Sequence, residues 1–198
     1  MVFCFQFRTL NLRQNRPLGF LDDIRLKAGE LAFKPIAPSE REVVPVSFSP
    51  GKTCGILYRA YIEEEAELVR KFVKYLRDYR LTVLALGYYD TVKMPEGVNP
   101  KLEFDYFTKK DLNLLMQPGG KTVSNFIEEP YDILIDTSLE PFFPFKFIVN
   151  HSKAKFKVGR QELEYSNLFD LMIKIEEGKD LKYLLRHVDH YLNIINKE

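Results

Sequence analysis

Charged and small polar residues follow several short apolar segments of this chain, and their positions suit the binding of a polar molecule. Each segment is typical of a buried β-strand, so these residues fall at predicted carboxyl ends. Open parallel sheets bind ligands at the edge where the carboxyl ends meet. The candidate ligand-binding residues are Arg59, Asp90, Asp136, Ser138, Gly159 and Arg160, with Asp105 at the end of a further candidate strand.

A structural alternative accounts for the same residues, and we favour it. Acids and glycines end strands because they suit turns and cap backbone N–H groups. On this interpretation Asp136 accepts hydrogen bonds from the backbone that follows it, next to Thr137 and Ser138. If the residues instead converge on one rim, they predict a site for a polar, sugar-like or phosphorylated molecule.

No motif for a nucleotide cofactor is complete. Gly51-Lys52-Thr53 resembles the end of a phosphate-binding loop, but Val46 stands where that motif needs its first glycine. The triplet also precedes a strand instead of following one, so we predict a turn. After the strand Cys54–Arg59 no glycine fingerprint appears, and the glutamates that follow would repel a pyrophosphate. No cofactor is predicted.

The candidate metal ligands and the candidate nucleophile are also explained by structural roles. His187 and His190 are three residues apart on a predicted helix, but no third ligand is visible, so a solvated helix face is favoured. Cys54 begins a buried strand and suits the role of a small apolar side chain. We predict no metal and no catalytic residue, and the sequence leaves an enzyme as the alternative.

Three lysines alternate with apolar residues in the segment Lys153–Val158. This pattern predicts a half-exposed strand with Lys153, Lys155 and Lys157 on its outer face. Lysines on such a strand protect a sheet edge against pairing with another chain, which is the interpretation we favour. The alternative is a basic strand, residues 153–157, that binds nucleic acid.

The elements that must position these residues alternate between strand and helix. Cys54–Arg59, Ile62–Tyr79 and Leu81–Tyr88 form a βαβ unit, which implies parallel strands with a right-handed crossover. Further strands are predicted at Leu102–Phe107, Tyr131–Asp136, Lys153–Val158 and Leu168–Ile175. Further helices are predicted at Lys121–Glu129, Phe142–Asn150 and Lys179–Asn196.

This order predicts a three-layer α/β sandwich with a mainly parallel sheet of about six strands, Rossmann-like or flavodoxin-like. The segment between Gly159 and Leu168 is short for a parallel crossover, so we expect the last strand to run antiparallel at an edge. The spacing of Thr137 and Glu140 predicts a capping box at the start of the following helix.

The first fifty residues differ from the rest. They contain five prolines and no strong periodicity, apart from a short helix expected around Leu18–Phe33. Pro35–Pro50 has the composition of an extended connector. We therefore predict one α/β domain over residues 51–198 and, over residues 1–50, an N-terminal extension that packs on it.

Composition argues for a soluble protein of the cytoplasm. The 198 residues include 29 basic and 28 acidic side chains, so net charge does not indicate a nucleic-acid or membrane partner. Two cysteines suit a reducing compartment. We recognise no signal peptide and no apolar run long enough to span a membrane.

Several segments resemble a family of uncharacterised Bacteroidota proteins described as a domain of unknown function. The segments are Phe107-Thr-Lys-Lys-Asp-Leu-Asn113, Asn125-Phe-Ile127, Tyr131-Asp-Ile-Leu-Ile-Asp-Thr-Ser138, Ser152-Lys-Ala-Lys-Phe-Lys-Val-Gly159 and Phe169-Asp-Leu-Met-Ile173. The resemblance covers roughly residues 54–195. It implies a bacterial cytoplasmic protein and supplies no activity or catalytic residues.

A more distant resemblance links Tyr131–Gly159 to the N-terminal half of lipopolysaccharide heptosyltransferases. In both, a strand ends in Asp, a helix follows, and a short basic strand closes in Gly. This resemblance implies a Rossmann-like fold. Those enzymes use two such domains and this chain has room for one, so glycosyl transfer is not implied.

The sequence therefore favours a non-catalytic module that binds a polar small molecule or a protein partner. A small enzyme acting on a polar, phosphorylated or sugar-like substrate at the strand ends is the alternative. A nucleic-acid-binding protein that uses residues 153–157 is the second alternative, and it is disfavoured.

Overall fold

The computed structural model describes residues 20–36, 43–161 and 166–195, and within them strands and helices alternate. The strands are β1 (Thr53–Arg59), β2 (Thr82–Tyr89), β3 (Phe104–Thr108), β4 (Ile133–Asp136), β5 (Phe156–Arg160) and β6 (Leu171–Ile173). The helices are α1 (Phe20–Ala32), α2 (Glu63–Asp78), α3 (Gly120–Glu128), α4 (Phe143–His151) and α5 (Leu181–Ile194).

The six strands form one sheet in the order β3-β2-β1-β4-β5-β6, and every pair is parallel. The chain adds β2 and β3 on one side of β1, then returns to place β4, β5 and β6 on the other side. The connections therefore diverge between β1 and β4, which is the place where sheets of this kind commonly bind ligands. The predicted three-layer α/β fold with a mainly parallel sheet is confirmed.

Helices cover both faces of the sheet, which explains the continuous apolar strands. Successive side chains of a strand point to opposite faces. Ile56 and Ile133 join the cluster beneath α2 and α5, whereas Leu57 and Leu134 join the cluster beneath α3 and α4. Strands that are buried on both faces are apolar at nearly every position.

The prediction that the last strand runs antiparallel is wrong. β6 pairs with β5 in parallel register, from Val158 opposite Leu171 to Arg160 opposite Ile173. A full helix is not needed for this crossover. The connection instead carries a 3₁₀ turn, Ser166–Leu168, and the buried Leu168 and Phe169 pack in the cluster beneath α3 and α4.

The edge position expected for the lysine-bearing strand is also wrong. β5 lies inside the sheet, between β4 and β6. Lys153 and Lys155 precede the strand and are exposed, but Lys157 is only 3% exposed. Lys157 Nζ donates to the backbone oxygen of Val149 at 2.6 Å, so this lysine belongs to the interior.

Helix α4 begins later than the expected capping box implies. Its first residue is Phe143, and Pro144 occupies the first turn, where a missing N–H costs no helical hydrogen bond. Thr137 and Glu140 lie in the loop before it. Thr137 Oγ1 donates instead to the backbone oxygen of Leu57 at 2.7 Å, which ties this loop to β1.

Part of the N-terminal region packs on the α/β core. Helix α1 lies within the range expected from Leu18–Phe33, of which Leu18 is outside the described residues. Val46 and Phe48 are buried in the cluster beneath α2 and α5. Phe48 N donates to the backbone oxygen of Leu192 at 3.0 Å. The division into residues 1–50 and 51–198 stays a prediction.

Candidate functional site

Three of the predicted site residues line one small cleft at the carboxyl edge of the sheet, beside the point where the connections diverge. We call it the strand-end cleft. Its enclosed volume is about 10 Å³, room for about one water-sized group. It is lined by Asp136, Ser138, Glu140, Phe142, Lys146, Arg160 and Phe169.

The parallel register of β4 and β5 brings the cleft residues together. Ile135 pairs with Val158, so Asp136 at the end of β4 lies near Gly159 and Arg160 at the end of β5. The loop that connects β4 to α4 adds Ser138 and Glu140. The convergence predicted for the carboxyl ends of β4 and β5 is thus present.

Asp136 shapes the loop that follows it. The residue is 6% exposed, and its Oδ1 accepts a hydrogen bond from the backbone N–H of Ser138 at 2.9 Å. The expectation that Asp136 bonds to the backbone that follows it is confirmed. The bond closes a turn and not a helix start, because α4 begins only at Phe143.

Ser138 brings a buried hydroxyl to the cleft. It is 7% exposed, and its Oγ has no hydrogen-bond partner among the described residues. Leaving a buried hydroxyl unsatisfied costs about 1–3 kcal/mol. The two preceding residues fix the loop around it, since Asp136 accepts from the Ser138 backbone N–H and Thr137 donates to β1, and Ser138 lines the cleft.

Two cationic side chains and two carboxylates line the same cleft as Ser138. Lys146 comes from the second turn of α4 and is 5% exposed, and Arg160 comes from the end of β5. Asp136 and Glu140 supply the negative charges. The lining therefore offers donors and acceptors with little net charge, an arrangement that suits a polar ligand bearing hydroxyl groups.

Arg59, at the end of β1, is held in an ion pair beside the cleft. Its guanidinium donates through both Nε and Nη2 to the carboxylate of Glu65, with Nε 3.1 Å from Oε2. Burial raises the pKa of the Glu65 carboxyl, although Arg59 opposes that shift, and Glu140 adds to the rise. Glu140 therefore links this pair electrostatically to the strand-end cleft.

The remaining predicted residues have contacts or positions that serve the fold. Asp90 pairs with Lys109 at 3.0 Å and accepts a hydrogen bond from Tyr88 Oη at 3.2 Å, and it does not line the cleft. Asp105 is the second residue of β3, so its expected place at a carboxyl end is wrong. A Cβ on Gly159 would lie 2.5 Å from the Phe169 ring, so glycine lets that ring close the cleft.

Sequence reasoning missed Glu140, Phe142, Lys146 and Phe169. One of them carried a usable pattern. Lys146 is the single charged residue before His151 in the apolar helix Phe143–His151, and a lysine is buried in such a segment only when polar groups pair with it. Phe169 was unpredictable, because it reaches the cleft only through the parallel placement of β6.

The other sequence motifs do not form sites. Gly51 has φ +82°, as the predicted turn requires, and burial raises the pKa of the Cys54 thiol far above its ordinary value. His187 packs against Tyr183 and Tyr191. Within the described ranges no three His, Cys, Asp or Glu side chains are grouped as metal ligands.

The lysines of residues 153–157 do not share a face. Lys153 pairs with Glu128, Lys155 Nζ donates to Asp132 at 3.0 Å, and Lys157 is buried. A phosphate backbone would need several cations on one accessible surface. The three lysines therefore do not form one accessible basic surface. In the described part of the chain, no helix is long and apolar enough to cross a lipid bilayer.

One family model matches most of this chain. It is described as a family of unknown function, DUF6913, and it matches residues 33–195. The match includes the whole sheet and all of the strand-end cleft, and it begins before residue 54, where the resemblance seen in the sequence starts. No curated protein and no solved structure matches the chain. The chain belongs to DUF6913.

Proposed function

We propose that this chain is a non-catalytic binding module that holds a small, polar, hydroxyl-bearing molecule at the strand-end cleft. The observation that carries the proposal is the buried Ser138 hydroxyl, which has no partner among the described residues and lies among charged side chains. A ligand oxygen at this place would satisfy the hydroxyl and recover part of its desolvation cost.

The lining indicates which chemistry the ligand carries. Lys146 and Arg160 donate to oxygens, and Glu140 accepts from hydroxyl groups. The charges nearly cancel, so a sugar or a sugar monophosphate fits better than a polyanion. The cleft admits one polar group, and the rest of the ligand would lie across the open rim toward Arg59 and Glu65.

The strand order supports a Rossmann-like assignment of the fold, which is part of this proposal. The reversal between β1 and β4 is where doubly wound sheets bind their ligands. A strand ending in Asp136 and another closing at Gly159 also resemble the N-terminal half of heptosyltransferases. That distant resemblance agrees with a sugar-like ligand. A bacterial cytoplasmic setting is proposed on the Bacteroidota resemblance and the two cysteines.

A thermal-shift screen with glucose, glucose 6-phosphate and adenosine monophosphate tests the proposal. We expect one class of probe to raise the melting temperature in a concentration-dependent way, because ligands that bind only the folded state stabilise it. Ser138→Ala should fold normally and weaken that response about three- to tenfold, as the loss of one hydrogen bond predicts.

Ser124→Ala is the matched control, since Ser124 is an exposed serine on α3. It should keep the full response. The proposal fails if none of the three probes raises the melting temperature, or if the Ser138 and Ser124 variants respond alike.

An enzyme that acts on the same ligand is the second candidate, and one observation favours it. Burial raises the pKa of the Glu65 carboxyl beside the cleft, and carboxyl groups with shifted pKa values are common at catalytic sites. Incubation of the protein with the probe that binds, followed by product analysis, separates the candidates. Turnover that is lost in Glu65→Gln would favour the enzyme.

A further inference from the structure

A groove lies between α2 and α5, on the opposite side of the sheet from α3 and α4. We call it the α2–α5 groove, and its cavity volume is about 260 Å³. It shares no residue with the strand-end cleft, so its function is independent of the one proposed above. It is lined by Leu68, Lys71, Phe72 and Tyr75 of α2 and by Lys182, Leu185, Arg186 and Asp189 of α5.

The floor of the groove is apolar. Both helices turn their apolar stripes toward the sheet. Phe72 and Leu185 belong to the buried core beneath them, and each is 7% exposed. Leu68 and Tyr75 are half-buried and pack against the same core. Apolar surface is therefore accessible along the junction of the two helices.

The rim of the groove is positively charged. Lys71, Lys182 and Arg186 are exposed, and Asp189 is the single acid of the lining. Asp189 already accepts hydrogen bonds from Tyr75 Oη and Asn193 Nδ2, both at 2.7 Å. Lys71 pairs with Glu67 at 2.8 Å. Among the described residues, neither Lys182 nor Arg186 makes an ion pair.

We propose that the α2–α5 groove binds an amphipathic helix of a protein partner whose polar face is acidic. An amphipathic helix places apolar residues of successive turns in such a groove. Its acidic residues would then face Lys182 and Arg186, which gives the complex complementary charge. The apolar floor explains why a protein segment fits better than a wholly polar anion.

Charge also argues against a second copy of this chain as the occupant. A twofold dimer through this face would place the same surface patch of each copy against the other. Lys182 and Arg186 of the two copies would then lie close together. Like charges at an interface oppose association.

A designed peptide tests the groove directly. The probe is a dye-labelled helical peptide with Leu at positions i, i+3, i+4 and i+7 and Glu elsewhere, titrated with the full chain and followed by fluorescence anisotropy. We expect saturable binding that weakens as salt is added. The double variant Lys182→Glu/Arg186→Glu should weaken binding by about tenfold, as the reversal of two surface charges predicts.

Lys110→Glu/Lys121→Glu is the matched control. Both lysines are exposed. Lys110 lies in the turn Lys109–Asp111 and Lys121 in the first turn of α3, so the same charge change is made outside the groove. This control should bind as the unaltered protein does. Leu68→Gln tests the floor and should also weaken binding, and circular dichroism checks that each variant folds.

Four results would overturn the proposal. The first is a peptide that does not bind saturably, and the second is an equal loss of binding in the two double variants. Polyglutamate, which has no apolar side chains, binds as tightly as the peptide. Sedimentation shows a dimer that Leu68→Gln dissociates, which would make a second copy the occupant.

Discussion

Asp136 and Ser138, at the end of β4, have different roles. Asp136 accepts a hydrogen bond from the backbone of the loop, and Ser138 of that loop lines the strand-end cleft. In the present proposal Asp136 is therefore a positioning residue and Ser138 a ligand-binding residue. Both residues stand at the end of one strand. The sequence therefore allowed two interpretations of them, as turn residues and as ligand-binding residues.

Substitution of Asp136 separates these tasks. Asp136→Asn keeps an oxygen that accepts from Ser138 N, so we expect a loss of under about 1 kcal/mol in the free energy of unfolding. Asp136→Ala removes the acceptor and should cost about 1–2 kcal/mol. Urea denaturation measures both, and the Asn variant should retain the thermal response to the probe that binds. An Asn variant that melts like the unaltered protein but binds no probe would make Asp136 a direct ligand.

The strands β1, β4 and β5 are tied together at their amino ends by Asp132. Its Oδ2 accepts from Thr53 N at 3.0 Å and from Thr53 Oγ1 at 3.2 Å, and Lys155 Nζ donates to Oδ1 at 3.0 Å. Thr53 begins β1, and Lys155 directly precedes β5. This cluster lies at the opposite end of the sheet from the strand-end cleft and aligns three neighbouring strands.

Acid should weaken this connection between strands. Burial works to raise the pKa of Asp132, but hydrogen bonds from Thr53 and Lys155 hold it below its ordinary value. A carboxyl group with a depressed folded-state pKa stabilises the fold above its unfolded-state pKa. That stabilisation is lost as pH falls through the folded-state value.

We therefore expect Asp132→Asn to lower the free energy of unfolding by about 1–2 kcal/mol near neutral pH. The difference from the unaltered protein should shrink as pH falls below about 4. Urea denaturation at several pH values measures it. Asp78→Asn, an exposed acid at the end of α2, is the control. A difference for Asp132→Asn that does not change with pH would show that its charge contributes nothing.

At the scale of the whole molecule, residues 43–50 and the α/β sheet share one core. Phe48 is 7% exposed, contacts the Phe72 ring edge-on with 6.3 Å between centroids, and bonds through its backbone to α5. The family match from residue 33 includes this segment. From both observations we propose that the boundary of the folding unit lies before residue 50.

Phe48→Ala should accordingly destabilise the entire domain. We expect a loss of about 2–4 kcal/mol in the free energy of unfolding, because a buried aromatic ring is removed from a packed core. Thermal unfolding should show a single transition at a lower temperature. Val43→Ala, at an exposed position of the same segment, should change stability by less than about 0.5 kcal/mol. Equal melting temperatures for both variants would make residues 43–50 an extension that packs on the domain without belonging to its core, as the sequence predicts.

The sequence by itself determined the local elements. β1, β2 and β4 were predictable because a parallel strand buried on both faces is apolar at nearly every position, and α2 and α5 because one apolar stripe repeats at helical spacing. The strand-end rim followed from these elements, since the acids and arginines stand directly after the strands.

Only the tertiary structure decided the strand order and what surrounds each side chain. Periodicity reports whether a position is buried, but the neighbour of a strand depends on long-range packing between distant segments. The lysines before β5 therefore suggested an edge strand, whereas packing of β6 places β5 inside the sheet and buries Lys157. For the same reason the sequence did not reveal Lys146 and Phe169 as cleft residues, because separate elements bring them to Ser138.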